Sequence, residues 1–132
     1  MDIILVPGLW LTASSWEAVV PALEAAGHQA HPLTLPGMES VGADRGGVTR
    51  QDQVDAVVAA VDAADGPALL VGHSMGGVLA WAAADARLDR VAGVVFLASE
   101  PGVPDASDSM FPVEGADVPL PAWDFFDDEM VA

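Results

Sequence analysis

The 132 residues contain no cysteine and no lysine, and their four basic residues, all arginine, face 20 aspartates and glutamates. Without cysteine there is neither a disulfide nor a thiolate metal site, and redox compartment is left open. A formal net charge of −16 makes nucleic acid and anionic membrane surfaces poor partners, because their fields repel such a chain. The acidity is read as a solubilising surface and says nothing about substrate. Although 52% of residues are hydrophobic, no apolar run approaches the ~20 residues that a membrane-crossing helix needs. The opening Met1-Asp2-Ile3-Ile4-Leu5-Val6-Pro7-Gly8 lacks a basic segment, so it reads as a first strand rather than a leader. A cytoplasmic location is the default expectation. No cluster of His, Asp or Glu has ligand spacing, so no metal or cofactor is expected.

What the chain does have is Gly72-His73-Ser74-Met75-Gly76-Gly77. It follows the apolar run Ala68-Leu69-Leu70-Val71 and precedes an Ala-rich helical stretch from Val78 to Arg87. G-x-S-x-G between strand and helix is the setting of a nucleophile elbow. The turn holds the serine in a sparsely populated backbone conformation and lifts its hydroxyl clear of both elements. Gly72 and Gly76 let strand and helix approach, and Gly77 adds room at the helix start. The hydroxyl then lies at a helix N-terminus, where N–H groups favour developing negative charge.

The rest of the chain alternates around this turn. Asp2 to Val6 reads as a strand buried on both faces of a parallel sheet. Ser14 and Glu17 have capping-box spacing, and Trp16, Val19, Val20 and Leu23 form an apolar helical face that Pro21 kinks or restarts. Gly27 supplies a left-handed stop. Gln29 to Leu35 is a strand weakened by Pro32, hence near an edge. Residues 36–47 are a Gly-rich loop. Thr49 and Asp52 cap a helix whose face is Val54, Val57, Val58 and Val61. A last strand runs from Val91 to Ala98. Strand–helix alternation predicts an α/β fold, a parallel sheet with helices on both faces. With the second strand at one edge, Val91 to Ala98 forms the other, open and very apolar, and self-association through it is expected.

After Ser99 the character changes. Residues 100–132 hold five prolines and nine acidic residues without a basic one, and their apolar residues lack a sustained period. They are expected to form a separate lid- or cap-like segment, irregular apart from a short helix between Pro121 and Met130.

Three segments carry a family resemblance: Leu5 to Trp10, Ser15 to His28, and Gly72 to Gly77. Together they resemble the N-terminal half of an α/β-hydrolase, in the small esterase and hydroxynitrile-lyase-like branch. The resemblance covers residues 2–100 and implies an apparently truncated α/β-hydrolase-like domain over 1–99. By position, Ser74 resembles the nucleophile, and the N–H groups of Met75 and Leu9 resemble the two oxyanion donors. Pro7-Gly8 stands where the family usually has His-Gly, which spares a backbone donor but removes a side chain that braces the loop. The implied partner is a small ester-like molecule.

One member of the set is missing. The family order is serine, acid, histidine, and the three histidines, His28, His31 and His73, all precede Ser74. His73 is expected to pack beneath the turn, His28 to sit at a helix end, and His31 to be accommodated in the weak strand. Glu100, just past the last strand, stands where some members carry the acid but reads more simply as an exposed loop residue. Asp105 and Asp108 have weaker claims. Asp44 and Arg45 read as a solvated pair, and Trp10 and Trp81 as core or pocket lining. Two readings follow: a serine hydrolase whose acid and base lie beyond Ala132, or a non-catalytic binding module that keeps the pocket.

Overall fold

The computed structural model describes residues 1–102 together with Val118 and Pro119. Among these residues four strands, β1 (Asp2–Val6), β2 (Gln29–Pro32), β3 (Ala68–His73) and β4 (Val91–Leu97), form one sheet in the order β2-β1-β3-β4. All three pairings are parallel, with Val6 beside Gly72 and Gly72 beside Phe96. The C-terminal ends of β1 and β3 therefore sit side by side, and the loops leaving them meet.

β1 is buried along its whole length because both of its faces are covered. Ile3 and Leu5 pack with Trp16, Val20 and Leu23 on one face. Ile4 and Val6 point to the other, joining Leu70 with residues of helices α2 (Arg50–Ala63) and α3 (Met75–Ala86). This second cluster is the larger core, and α2 supplies it with Val54, Val57 and Val61, each at most 6% exposed. Full burial of such a side chain stabilises the fold by about 1.5–3 kcal/mol. The start of α2 is as expected: Thr49 accepts from the Asp52 N–H while the Asp52 carboxylate accepts from the Thr49 N–H.

The region after β1 departs from expectation. Thr12, not Ser14, is the capping residue, and it caps a short 3₁₀ turn over Ala13–Trp16. Helix α1 starts only at Val20 and runs to Ala25, with Pro21 in its first turn. Proline lacks an N–H and clashes with the preceding turn, so the helix begins at it rather than bending around it. Val19 consequently falls outside the buried face, at 40% exposure. Gly27 does end the helix, at φ +83°.

β2 is also shorter than expected. After Pro32, the Leu33 N–H still reaches the Leu5 carbonyl at 3.0 Å, and the chain then turns inward to bury Leu35. His31 is more than accommodated: its Nε2 lies 2.7 Å from a carboxylate oxygen of the buried Asp2. At the opposite margin β4 has β3 as its strand neighbour and exposes Val95 and Leu97 at 39% and 41%. Residues 100–132 lie almost wholly outside the described residues, and with them the expected cap and the candidates Asp105 and Asp108.

Candidate active site

The turn between β3 and α3 is built by close backbone packing. A Cβ on Gly72 would lie 2.6 Å from the Gly76 carbonyl oxygen, and one on Gly76 would lie 2.5 Å from the Pro7 carbonyl oxygen. Only glycine allows strand, turn and helix to approach this closely. The turn residue, Ser74, adopts φ +51° and ψ −125°, a region that non-glycine residues rarely enter. The helix begins at once, at Met75 rather than Val78. Ser74 is exposed and makes no side-chain capping bond to the first turn of α3.

Three hydrogen bonds fix its backbone. The Ser74 N–H donates to the Leu97 carbonyl at 3.0 Å, and the Gly77 N–H donates to the Ser74 carbonyl at 3.0 Å. The Ser99 hydroxyl also donates to that carbonyl, at 2.6 Å. Ser99 reaches it because Ala98 turns the chain with φ +45° and because Gly77 leaves a notch that the Ser99 side chain fills. Sequence reading assigned nothing to Ser99. Its only signal was proximity to the end of a strand next to the turn.

The loop after β1 lies against this turn. A Cβ on Gly8 would be 3.0 Å from the Ser74 Cβ and 3.0 Å from His73 Nδ1. Gly8 thus lies close against Ser74, and the His73 ring packs beside this loop. Leu9 and Met75 both line an open cavity of about 840 Å³, whereas Ser74 stands outside its lining. Other walls come from Met38, Val48, Gln53 and Leu79, with Val118 and Pro119 contributing from the distant part of the chain. The loop expected over 36–47 therefore forms a wall as well as a connection.

The remaining candidates separate. Trp10 lines the cavity, but Trp81 does not: it is 44% exposed, and its ring centroid lies 6.1 Å from that of Phe96. Arg45 donates to the carbonyls of Ser40 and Ala43, and Asp44 accepts from the Gly46 N–H, so both shape their own loop. His28 has a buried Nδ1 with no partner among the described residues. His28 and His31 belong to the segment around β2, and His31 is engaged by Asp2. Glu100 is exposed beyond β4.

A family model described as the alpha/beta hydrolase family matches residues 3–132. The chain belongs to the α/β-hydrolase family. Among curated relatives of this α/β-hydrolase chain is a pyrethroid hydrolase of Sphingobium wenxiniae, 33% identical over 116 residues that make up 86% of this chain and 41% of that protein. The esterase PIR7B of Oryza sativa subsp. japonica is 42% identical over 102 residues, 73% of this chain and 37% of that one. A crystal structure of the pyrethroid hydrolase PytH superposes with a TM-score of 0.69 at 33% identity, covering 78% of this chain and 43% of that chain. The chain thus spans about two fifths of the length of the relatives it matches. The parallel sheet and its flanking helices are those of the family. Among the described residues no helix is long and apolar enough to cross a membrane.

Proposed function

We propose that this chain carries the nucleophile and oxyanion portion of a serine hydrolase acting on carboxylic esters. The observation that carries the reading is the conformation of Ser74, φ +51° and ψ −125° at the first turn of α3, with Gly8 of the β1 loop packed against it. Such backbone strain costs of order 1–3 kcal/mol and persists only where the surroundings enforce it. Here glycine packing and the three bonds to Ser74 enforce it. The names of the relatives, a pyrethroid hydrolase and an esterase, support the same reaction class.

In this mechanism the Ser74 oxygen attacks the ester carbonyl carbon, and the carbonyl π electrons move to oxygen. The N–H groups of Leu9 and Met75 hold the resulting oxyanion. One such donor contributes about 3 kcal/mol to lowering the barrier. Collapse breaks the bond to the alcohol oxygen, which takes the proton lost by serine, and water then hydrolyses the acyl-enzyme by the same steps. The proton carrier is a histidine oriented by an acid, and no histidine follows Ser74 in this sequence. Within this chain His73 packs beside Gly8 and His31 is held by Asp2.

The absence of a histidine after Ser74 favours a second reading, a non-catalytic binding module or an inactive fragment. Labelling with a fluorophosphonate separates the two. A serine without its base is a weak nucleophile, so residues 1–132 alone label slowly and turn over esters negligibly. A chain extended to the relatives' length labels rapidly, and Ser74→Ala abolishes that labelling. Failure of the extended chain to label selects the binding module. Rapid stoichiometric labelling of the short chain shows a base within it. Light scattering on the same sample reads the state of the open β4 edge: self-association is expected, and a monodisperse monomer refutes it.

A further inference from the structure

We infer that the cavity takes an uncharged apolar group and that Trp10 sets its specificity. The inference deepens the serine-hydrolase reading and rests on it for the role of the neighbouring Leu9. The cavity, about 840 Å³, has the size of a site for a drug-sized ligand. Its walls include Leu9, Met38, Val48, Met75 and Leu79.

Two of the four arginines, Arg45 and Arg50, also line it, which at first suggests an anion site. The hydrogen bonds argue otherwise. The Arg45 guanidinium donates to the carbonyls of Ser40, Val41 and Ala43 at 3.0, 3.4 and 3.1 Å, so its donors hold the loop in shape. Arg50 is engaged as well. With a net charge of −16 on the chain, an anionic ligand also meets an opposing field.

Trp10 holds a particular place in this cavity. It follows Leu9 directly, and its backbone sits at φ +63°, a conformation that bulky residues seldom adopt. Its indole Nε1–H donates to the Val118 carbonyl at 2.7 Å, across 108 positions of sequence. Trp10, Val118 and Pro119 all line the cavity. The bond therefore ties a wall from the far end of the chain to the loop that presents Leu9, and it prevents the ring from swinging. A fixed ring selects ligands by shape, whereas a phenyl ring in its place lacks that tether.

Fluorescence titration of the 132-residue chain tests this with two probes that share a ring system. N-phenyl-1-naphthylamine is neutral, and 1-anilinonaphthalene-8-sulfonate carries a sulfonate. The neutral probe binds roughly tenfold tighter, because the buried sulfonate finds no free cation to offset its desolvation. Trp10→Phe weakens the neutral probe roughly three- to tenfold, the effect of one hydrogen bond, and Trp81→Phe leaves it unchanged. In protein labelled with ¹⁵N at the indoles, the Trp10 resonance exchanges slowly with solvent and shifts when the neutral probe binds. If Trp10→Phe does not fold, that resonance, assigned through its Leu9 and Leu11 neighbours, carries the test.

Binding of neither probe, a sulfonate affinity equal to or above the neutral one, or a Trp10 indole that exchanges freely overturns the inference, as does wild-type affinity in a folded Trp10→Phe chain. A chain that binds the neutral probe yet never labels at Ser74, even when extended, overturns the serine-hydrolase reading and leaves the neutral cavity standing. Labelling of the extended chain without probe binding does the reverse.

Discussion

The two ends of the sheet are held by different physics. At the C-terminal ends of β1 and β3, packing is steric: Gly72 and Gly76 lie against backbone with no room for a Cβ, Gly77 faces the Ser99 side chain and Gly8 those of His73 and Ser74, and Trp10, Ser74 and Ala98 sit at positive φ. At the N-terminal ends the ties are charged side chains. Asp2 pairs with His31, Arg87 grips Asp62 through two bonds of 2.8 and 3.0 Å, and Arg90 donates to carbonyls at the end of α2. The contrast teaches where precision is placed. Sterics fix atoms to fractions of an ångström and carry no charge that would disturb a developing oxyanion. Ion pairs fix elements loosely and tolerate repair.

The largest effect is expected from adding one carbon at the C-terminal end. Gly72→Ala or Gly76→Ala drives a methyl into backbone atoms that cannot rotate away. Each variant is expected to lose about 3 kcal/mol or more, at or beyond the upper range for overpacking. Gly66→Ala, whose Cβ would meet nothing within 4 Å, is expected to gain about 0.4–1 kcal/mol from reduced freedom of the unfolded chain. Urea unfolding followed by circular dichroism measures all three. If Gly72→Ala unfolds like Gly66→Ala, the close packing is not what holds the turn.

The same contrast governs what the sequence disclosed. Gly72 and Gly76 are legible because a steric requirement leaves only glycine, and Ser74 because a nucleophile stands between them in the motif. Short continuous apolar runs mark β1, β3 and β4, the helical spacing of Val54, Val57 and Val61 marks α2, and a capping box marks its start. The start of α1 is not legible because Thr12, rather than Ser14, caps a separate 3₁₀ turn, and the α-helix begins only at Val20 with Pro21 in its first turn. Ser99 and Trp10 were illegible as partners of Ser74 and Val118. Each bond joins distant positions, 25 residues apart in one case and 108 in the other, and no local pattern encodes such a meeting. The cavity followed the same rule, since its wall over 36–47 has no period of its own.

A smaller effect is expected at the N-terminal end. Arg90 Nη2 lies 2.7 Å from the Ala64 carbonyl, 3.3 Å from that of Val61 and 3.4 Å from that of Asp62. These carbonyls lie at a helix C-terminus, where a cation is favoured, and that of Val61 also accepts the Ala64 N–H at 3.2 Å. Arg90→Ala is expected to cost about 1–2 kcal/mol, visible as a lower urea midpoint at unchanged slope. Water can replace the lost donor here, which is why the loss stays below that of Gly72→Ala. A midpoint equal to wild type shows that the bonds contribute nothing net.

The smallest effect, and the one that separates the charged ties from each other, is a pH dependence. Among the described residues, three carboxylates are held below their ordinary range: Asp2 by its hydrogen bond with His31, Asp52 by the Thr49 hydroxyl and N–H, and Asp62 by its bonds from Arg87. A carboxylate with a depressed folded pKa binds its proton more weakly in the native state than in the unfolded chain. Its stabilisation is therefore fully present above the unfolded value, about 3.9, and is lost as pH falls through the folded value. Asp2→Asn, Asp52→Asn and Asp62→Asn should each melt below wild type at neutral pH, with the gap closing under acid. Salt distinguishes them. The Arg87 and Asp62 side chains are 38% and 46% exposed, whereas the Asp2 side chain is 8% exposed although that of its partner His31 is 43% exposed. At 1 M salt, where the screening length is about 3 Å, the Asp62→Asn gap should shrink at neutral pH while the Asp2→Asn gap persists. Thermal melts across pH and salt read both. A gap for Asp2→Asn that stays constant into acid, or that salt erases as readily as the Asp62 gap, would show that the Asp2–His31 tie is no different from a solvated surface pair.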